Sequence, residues 1–220
     1  MDQGGAETTP LPGSLALFSL NLLLLREAVS KLCLEASDSR SIHLRKVIRV
    51  KDGDFVDLAV RNGPKGKGKV FLREDGAIEL ELTWLPAHSN DLHPISLVVA
   101  QCRPQTCRKI LDQATSLGVG SFSFFQAEKS EPSYAKSSLW QSDEWIRKIE
   151  SGVEQAFSSF VPRCDRFSDL KNALDNQSSE TECQRIALDN YEASDPLSLE
   201  EARSGRTFSL CLGPERGWSD

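Results

Sequence analysis

The sequence has 220 residues, enough for one large or two small domains. With 39% hydrophobic and 26% charged residues it has the composition of a folded globular protein. That excludes a disordered chain, a collagen-like repeat and a disulfide-stapled miniprotein. Its 26 Lys+Arg against 32 Asp+Glu give a net charge of -6, which argues against a uniformly basic nucleic-acid coat. A local basic patch stays possible, because a sum carries no information on distribution.

Residues 1–20 are assigned to a disordered leader. Within residues 14–25 the run SLALFSLNLLLL is almost wholly apolar. A secretory signal needs a basic stretch before such a run, and here only Asp2 and Glu7 precede it. At about a dozen residues the run is also too short to span a bilayer. It is expected to hold the first strand.

The next segment is basic. Residues 40–73 carry ten Lys/Arg and three acids, a net of +7, while the rest of the chain sums to -13. Clustered cations gain affinity for phosphates by displacing counterions, so this window is a candidate RNA surface. Its pattern predicts β structure with turns. Asp52-Gly53 is expected as a tight turn between two apolar-alternating runs in IRVKDGDFVDLAV. Asn62-Gly63 with Gly66 and Gly68 is expected to form a loop carrying Lys65, Lys67 and Lys69. Asp75-Gly76 makes a third turn, and AIELELTW alternates with period two. Short strands at this spacing predict a small β-barrel. Residues 86–94, PAHSNDLHP, read as a linker.

Beyond Pro94 the period changes. ISLVVAQ (95–101) is a continuous apolar run, as a buried parallel strand requires. Pro104 opens a helix whose apolar stripe is Cys107, Ile110, Leu111, Ala114 and Leu117, and Gly118 ends it. SFSFF (121–125) is the next strand. A second helix is predicted over 143–157, with Ser142 as N-cap and Trp145, Ile146, Ile149, Val153, Ala156 and Phe157 on one face. RIALD (185–189) and RTFSLCL (206–212) are two further buried strands. Strands alternating with helices predict an α/β domain with a mainly parallel sheet, whose ligands sit at the carboxyl ends of strands.

The turn after the last of these strands is rich in signal: Gly213-Pro214-Glu215-Arg216-Gly217-Trp218, then Ser219-Asp220 as a helix-cap pair. Glycines there let backbone amides approach a ligand closely. Neither G-x-G-x-x-G nor a P-loop pattern follows any strand. Six cysteines are scattered without a C-x-x-C pair, and the three histidines lie elsewhere, so no zinc site is expected. The cysteines read as small buried hydrophobes in a reducing cytosol, which predicts a cytoplasmic protein. Paired carboxylates at 143–144 and 200–201 are expected on exposed helix surfaces, away from acid–base work.

Four stretches together resemble the RsmE-type 16S rRNA (uridine-N3) methyltransferases of the SPOUT (trefoil-knot) superfamily. HLRKVIRVKDGD (43–54) is similar to the family's H-x-x-x-V-L-R-x-x-x-G-D segment. ILDQATSLGV (110–119) is similar to Q-K-x-T-E-L-G-V. Glu154-Gln155 is similar to its E-Q helix. Residues 210–218 are similar to I-G-P-E-G-G followed by an aromatic or leucine. The likeness runs from about Asn21 to the last residue.

There are departures. Ser116 stands where the family has Glu, and Arg216 replaces a glycine. Arg163 is displaced from the arginine that follows the E-Q helix. The family continues into an L-G-x-R-[IV]-L-R-x-E-T-A segment that threads the knot, and this sequence stops at Asp220. The resemblance therefore implies a truncated SPOUT domain (95–220) with an incomplete knot, preceded by a PUA-like RNA-binding barrel (21–85).

The implied activity is S-adenosylmethionine-dependent methylation of uridine N3 in the small ribosomal subunit. The implied cofactor contacts are Leu188, Asp189 and Asn190, with Leu212, Gly213, Pro214, Glu215 and Gly217. Arg45, Lys46, Arg49, Lys51, Lys65, Lys67 and Lys69 would hold RNA phosphates, joined by Arg103 and Arg108. A homodimer is implied as well, and no catalytic base is assigned. For the chain as it stands, cofactor binding is expected to be weak or absent. The rival reading is a non-catalytic RNA-binding protein with a decayed methyltransferase domain.

Overall fold

The computed structural model describes residues 22–177, 183–189, 192, 193, 196 and 207–218. The leader, Asn21, Asn190, Arg206, the acidic pair at 200–201 and the Ser219-Asp220 cap lie outside the described residues. Period-two alternation builds the first sheet. Strands β3 (Phe55–Val60), β4 (Lys65–Leu72) and β5 (Ile78–Trp84) pair antiparallel in succession. In β5 Ile78, Leu80 and Leu82 are buried while Glu79 and Glu81 face solvent. Strand β1 (Leu23–Leu25) joins β3 in parallel, and β2 (Lys31–Leu34) joins β5 antiparallel. The order is β1-β3-β4-β5-β2, and its inner face gathers Leu34, Leu44, Leu58, Val70 and Ile78.

Two expectations fail in this region. Gly66 and Gly68 are inside β4 and buried, so Lys65, Lys67 and Lys69 are strand residues. A Cβ on Gly66 would lie 2.5 Å from the Thr83 carbonyl oxygen, and one on Gly68 3.0 Å from Leu58 and Leu82 side chains. The period of two is present, but its inward positions are glycines that make room for neighbours. The first arm of the expected hairpin around Asp52-Gly53 is not a strand. Helix α1 (Ser39–His43) runs into a π-helical turn, Leu44–Ile48, and Arg49 ends it at φ 60. Asp38 caps α1, accepting from the Arg40 N–H at 2.8 Å. Leu44 is the segment's one fully buried apolar side chain, with Ile48 and Val50 packed partly against the same core, so no periodicity announces it. The turn at Asp52-Gly53 still forms: Asp52 Oδ1 accepts from the Leu72 N–H at 2.8 Å.

The second sheet is parallel throughout, in the order β8-β7-β6-β10-β9. Its strands are β6 (His93–Ala100), β7 (Val119–Phe125), β8 (Arg163–Phe167), β9 (Cys183–Leu188) and β10 (Thr207–Leu212). Parallel neighbours need crossovers. Helix α2 (Pro104–Ser116) supplies one; α3 (Ser138–Gln141) and α4 (Glu144–Gln155) supply another; α5 (Leu170–Asp175) follows β8. Val99, Phe122 and Phe124 pack with Leu111 of α2 and Ile149 and Val153 of α4. Val98, Ala100, Phe125 and Cys211 form a second cluster with Ala173 of α5. Pro104 opens α2 and Gly118, at φ +79, follows its end. The chain is thus an α/β protein.

Details of this sheet differ from expectation. Leu117 is 73% exposed, because α2 has already closed at Ser116. Helix α4 begins at Glu144, whose N–H donates to Ser142 Oγ at 3.2 Å. Strand β9 is an edge strand and leaves Leu188 40% exposed, so RIALD is not a buried strand. Strands β2 and β8 and helices α3 and α5 carry no strong periodicity. RCDRF in particular has three charges in five residues, which suits the sheet edge that β8 occupies. Cys102, Cys107 and Cys211 are buried, and burial pushes the Cys164 thiol up to about 12. Cys33 is exposed, against the reading of these residues as buried hydrophobes.

Candidate cofactor hollow and basic face

In a parallel sheet of this kind ligands bind beyond the carboxyl ends of the strands, where the strand order reverses. That place lies between β6 and β10. The chain leaves β10 at Leu212 and turns at once. The Gly217 N–H donates to the Pro214 carbonyl at 2.9 Å, and Gly217 sits at φ +75, where only glycine is unstrained. Trp218 then folds back over the turn. Its ring stacks on Phe125 with centroids 6.4 Å apart, and its Nε1 donates to the Leu188 carbonyl at 3.3 Å. Gly213 lies beneath that ring, where a Cβ would come within 3.0 Å of it. On the other side Glu215 Oε1 accepts from the Arg103 N–H at 2.8 Å, at the N-cap of α2. The turn is therefore fastened to the ends of both β9 and β6.

These contacts enclose a hollow of about 440 Å³ lined by Leu188, Asp189, Leu212, Gly213, Pro214, Glu215, Gly217 and Trp218. Every described residue that the sequence reading assigned to cofactor contact lies on this wall. Trp218 was not among them. Its signal was the single aromatic residue that follows the two glycines. Glu215 spends its carboxylate on the α2 N-terminus and so serves as a clamp on the turn.

The cations fall into two sets. Arg108, expected to join the phosphate-holding cations, is held bidentately by Glu144, at 2.6 and 2.8 Å, which pulls the Glu144 carboxyl down. Lys67 pairs with Asp57 at 2.6 Å, Lys65 lies 3.9 Å from Asp91, and Arg45 donates to the Gly76 carbonyl. Lys46, Arg49 and Lys51 are exposed, and no described residue pairs with their side chains. Arg103 is exposed too, with its Nε 4.0 Å from Glu215 at the mouth of the hollow.

Between the sheets, the Leu24 N–H donates to Glu154 Oε1 at 3.1 Å and Arg61 pairs with Glu150 at 3.3 Å. Asn62 Oδ1 accepts from the Val161 N–H at 2.9 Å. Burial pushes the Glu154 carboxyl up. Among the described residues no group of His, Cys, Asp and Glu could hold a metal ion, and no helix is long and apolar enough to cross a membrane.

Comparison with known proteins bears on the whole arrangement. The family described as RNA methyltransferase domain matches residues 88–220. The chain is 22% identical over 201 residues to ribosomal RNA small subunit methyltransferase E 1 of Borreliella burgdorferi, covering 91% of this chain and 83% of that protein. It is 26% identical over 186 residues to ribosomal RNA small subunit methyltransferase E of Treponema pallidum, covering 83% and 70%. Its fold matches the crystal structure of the Neisseria gonorrhoeae small subunit methyltransferase E bound to S-adenosyl methionine, with a TM-score of 0.69 at 21% identity, covering 91% of this chain and 81% of that one. The hollow at the reversed strand order, the pinned glycine turn and these likenesses agree: the chain belongs to the RNA methyltransferase domain family.

Proposed function

We propose that this chain methylates N3 of a uridine in small-subunit ribosomal RNA, using S-adenosylmethionine held in the hollow beside β9 and β10. The observation that carries the reading is the 213–218 turn, clamped by Glu215 and roofed by Trp218 at the reversal of strand order. The residues present fit the cofactor. The volume falls in the ordinary small-ligand range of roughly 300–1,000 Å³. Leu188, Leu212, Pro214 and Trp218 offer apolar walls for a purine, while Asp189 and Glu215 give the lining the negative sign that suits a sulfonium.

When bound, the cofactor supplies an electrophilic methyl group. Uridine N3 lies on the Watson–Crick edge, so the base must be unpaired or flipped to reach it. N3 also carries a proton that must leave. Arg103, whose Nε lies 4.0 Å from Glu215 of the hollow wall, would stabilise the uridine anion that results. Trp218 closes one side of the hollow against water.

We read 21–85, with the β1–β5 sheet, as a PUA-like barrel that positions RNA, and 95–220 as the methyltransferase domain; the linker expected over 86–94 shortens to 86–92, because His93 and Pro94 already belong to β6. The insertion of β10 between β6 and β9 supports a trefoil-knot path. All six cysteines are free, which supports a cytoplasmic setting. The half-exposed Leu188 beside the hollow supports a homodimer joined there, which sedimentation velocity would detect.

The test is methyl transfer by the full chain from labelled S-adenosylmethionine to small subunits lacking the modification, with mass spectrometry of the nucleosides. N3-methyluridine is the expected product. Gly213→Val drives a side chain into Trp218 and should lower the rate on the order of 100-fold. Neither product nor calorimetric cofactor binding in the unaltered chain would refute the reading.

A further inference from the structure

The outer face of the first sheet bears an aromatic ring that the cofactor hollow does not use. Phe55, at the start of β3, is 65% exposed. A strand position facing solvent ordinarily takes a polar residue, since an exposed ring forgoes its burial energy. Phe55 stands opposite Lys69 in the β3–β4 register, and the Lys69 ammonium lies 5.3 Å from the Phe71 ring centroid. Val47, on the preceding π-helical turn, is 66% exposed.

The charges around this ring are unequal in their commitments. Lys46, Arg49 and Lys51 extend from the segment that leads into β3, and no described residue pairs with them. The acids of the same segment are occupied. Asp52 Oδ1 accepts from the Leu72 N–H, Asp54 Oδ2 from the Lys51 N–H at 2.7 Å, and Asp57 pairs with Lys67. Asp52 and Asp54 thereby shape the turn that precedes Phe55, and the ammonium and guanidinium groups are left for a partner.

An exposed ring bordered by unpaired cations is complementary to unpaired nucleotides, which offer a base face and a phosphate together. A duplex offers phosphates but no free base face. A protein partner would have to bring acidic groups around an apolar spot.

We propose that Phe55 stacks on an unpaired base of single-stranded RNA while Lys51, Arg49 and Lys69 hold the neighbouring phosphates. This rests on the reading of RNA as the substrate and adds that the barrel grips a single-stranded segment. The ring sits on the first sheet and β10 in the second, so it acts as a second contact and holds a nucleotide other than the reacting uridine.

The experiment measures binding of the full chain to a fluorescein-labelled single-stranded oligoribonucleotide and to its duplex, across a salt series. Phe55→Ala should weaken single-strand binding roughly ten- to hundredfold, with the salt slope kept. Phe55→Trp should restore affinity, and duplex binding should not change in either variant. Lys51→Ala should lower the slope by about one. Unchanged melting of each variant shows that the fold is intact. A Lys51 effect without a Phe55 effect overturns the stacking and leaves the RNA reading standing. Equal loss for single strand and duplex in Phe55→Ala also overturns it. No binding of either RNA by the unaltered chain overturns both.

Discussion

The two sheets hide their apolar residues in opposite ways. In the first, each strand turns one side to the core and the other to water, so β4 places Val70 inside and Lys67 and Lys69 outside. In the second, helices cover both sides, and Val98, Val99, Phe122, Phe124 and Phe125 are all buried though they point in both directions. A sheet with a free face can bind along that face. A sheet covered on both sides can bind only at its strand ends. The cationic outer face proposed for RNA and the clamped turn after β10 proposed for the cofactor are the two forms this would take in one chain.

Breaking the second sheet should therefore cost the most. Phe124 is fully buried, with its ring 4.8 Å from Trp140. Phe124→Ala should lose about 3–5 kcal/mol, read as a lowered urea midpoint. Lys67→Ala, on the free face, should leave that midpoint in place. Similar shifts for the two would show that the faces do not differ as described. A smaller effect tests the first sheet where its period is written in glycine. Gly66→Ala pushes a Cβ to 2.5 Å from the Thr83 oxygen and 2.8 Å from Trp84, neither of which yields easily. The cost should be about 1–3 kcal/mol, with β4 and β5 the first amides to lose hydrogen-exchange protection.

The same contrast explains what could be read in the sequence. A continuous apolar run announced β6, and clean alternation announced β5. The glycine turn after Leu212 was visible because glycine and proline follow a buried run at once. Edge strand β8 needs little burial, so its composition carried little signal; β9 was legible as a strand, but its edge position, which leaves Leu188 exposed, was not. Alternation in KGKGK looked like a loop, because glycine marks both flexible turns and tight packing. Helix α1 and its π-helical extension depend on Leu44 reaching a core assembled from distant strands. The clamp of Glu215 on Arg103 joins positions 112 residues apart, a link that spacing cannot reveal.

The smallest expected effect lies where the two sheets meet. Glu154 of α4 accepts from the Leu24 N–H of β1, so a carboxylate in this junction is partly desolvated. Burial is the largest influence on it and pushes its pKa up, while the Leu24 hydrogen bond and Arg40 pull the other way. The folded chain thus holds the proton more tightly than the unfolded chain does. As pH rises from the ordinary glutamate value of about 4.3 toward the raised folded value, the unfolded state releases its proton first and gains on the folded state. Stability from this group is full below that window and is lost across it. Glu154→Gln keeps an oxygen for the Leu24 N–H and never ionises. Its melting temperature relative to the parent should rise across that window and then level off, in scans from pH 4 to 7. A parent that gains on the variant as pH rises would mean that Arg40 outweighs burial, and that the junction is held by charge instead of a shared hydrogen bond.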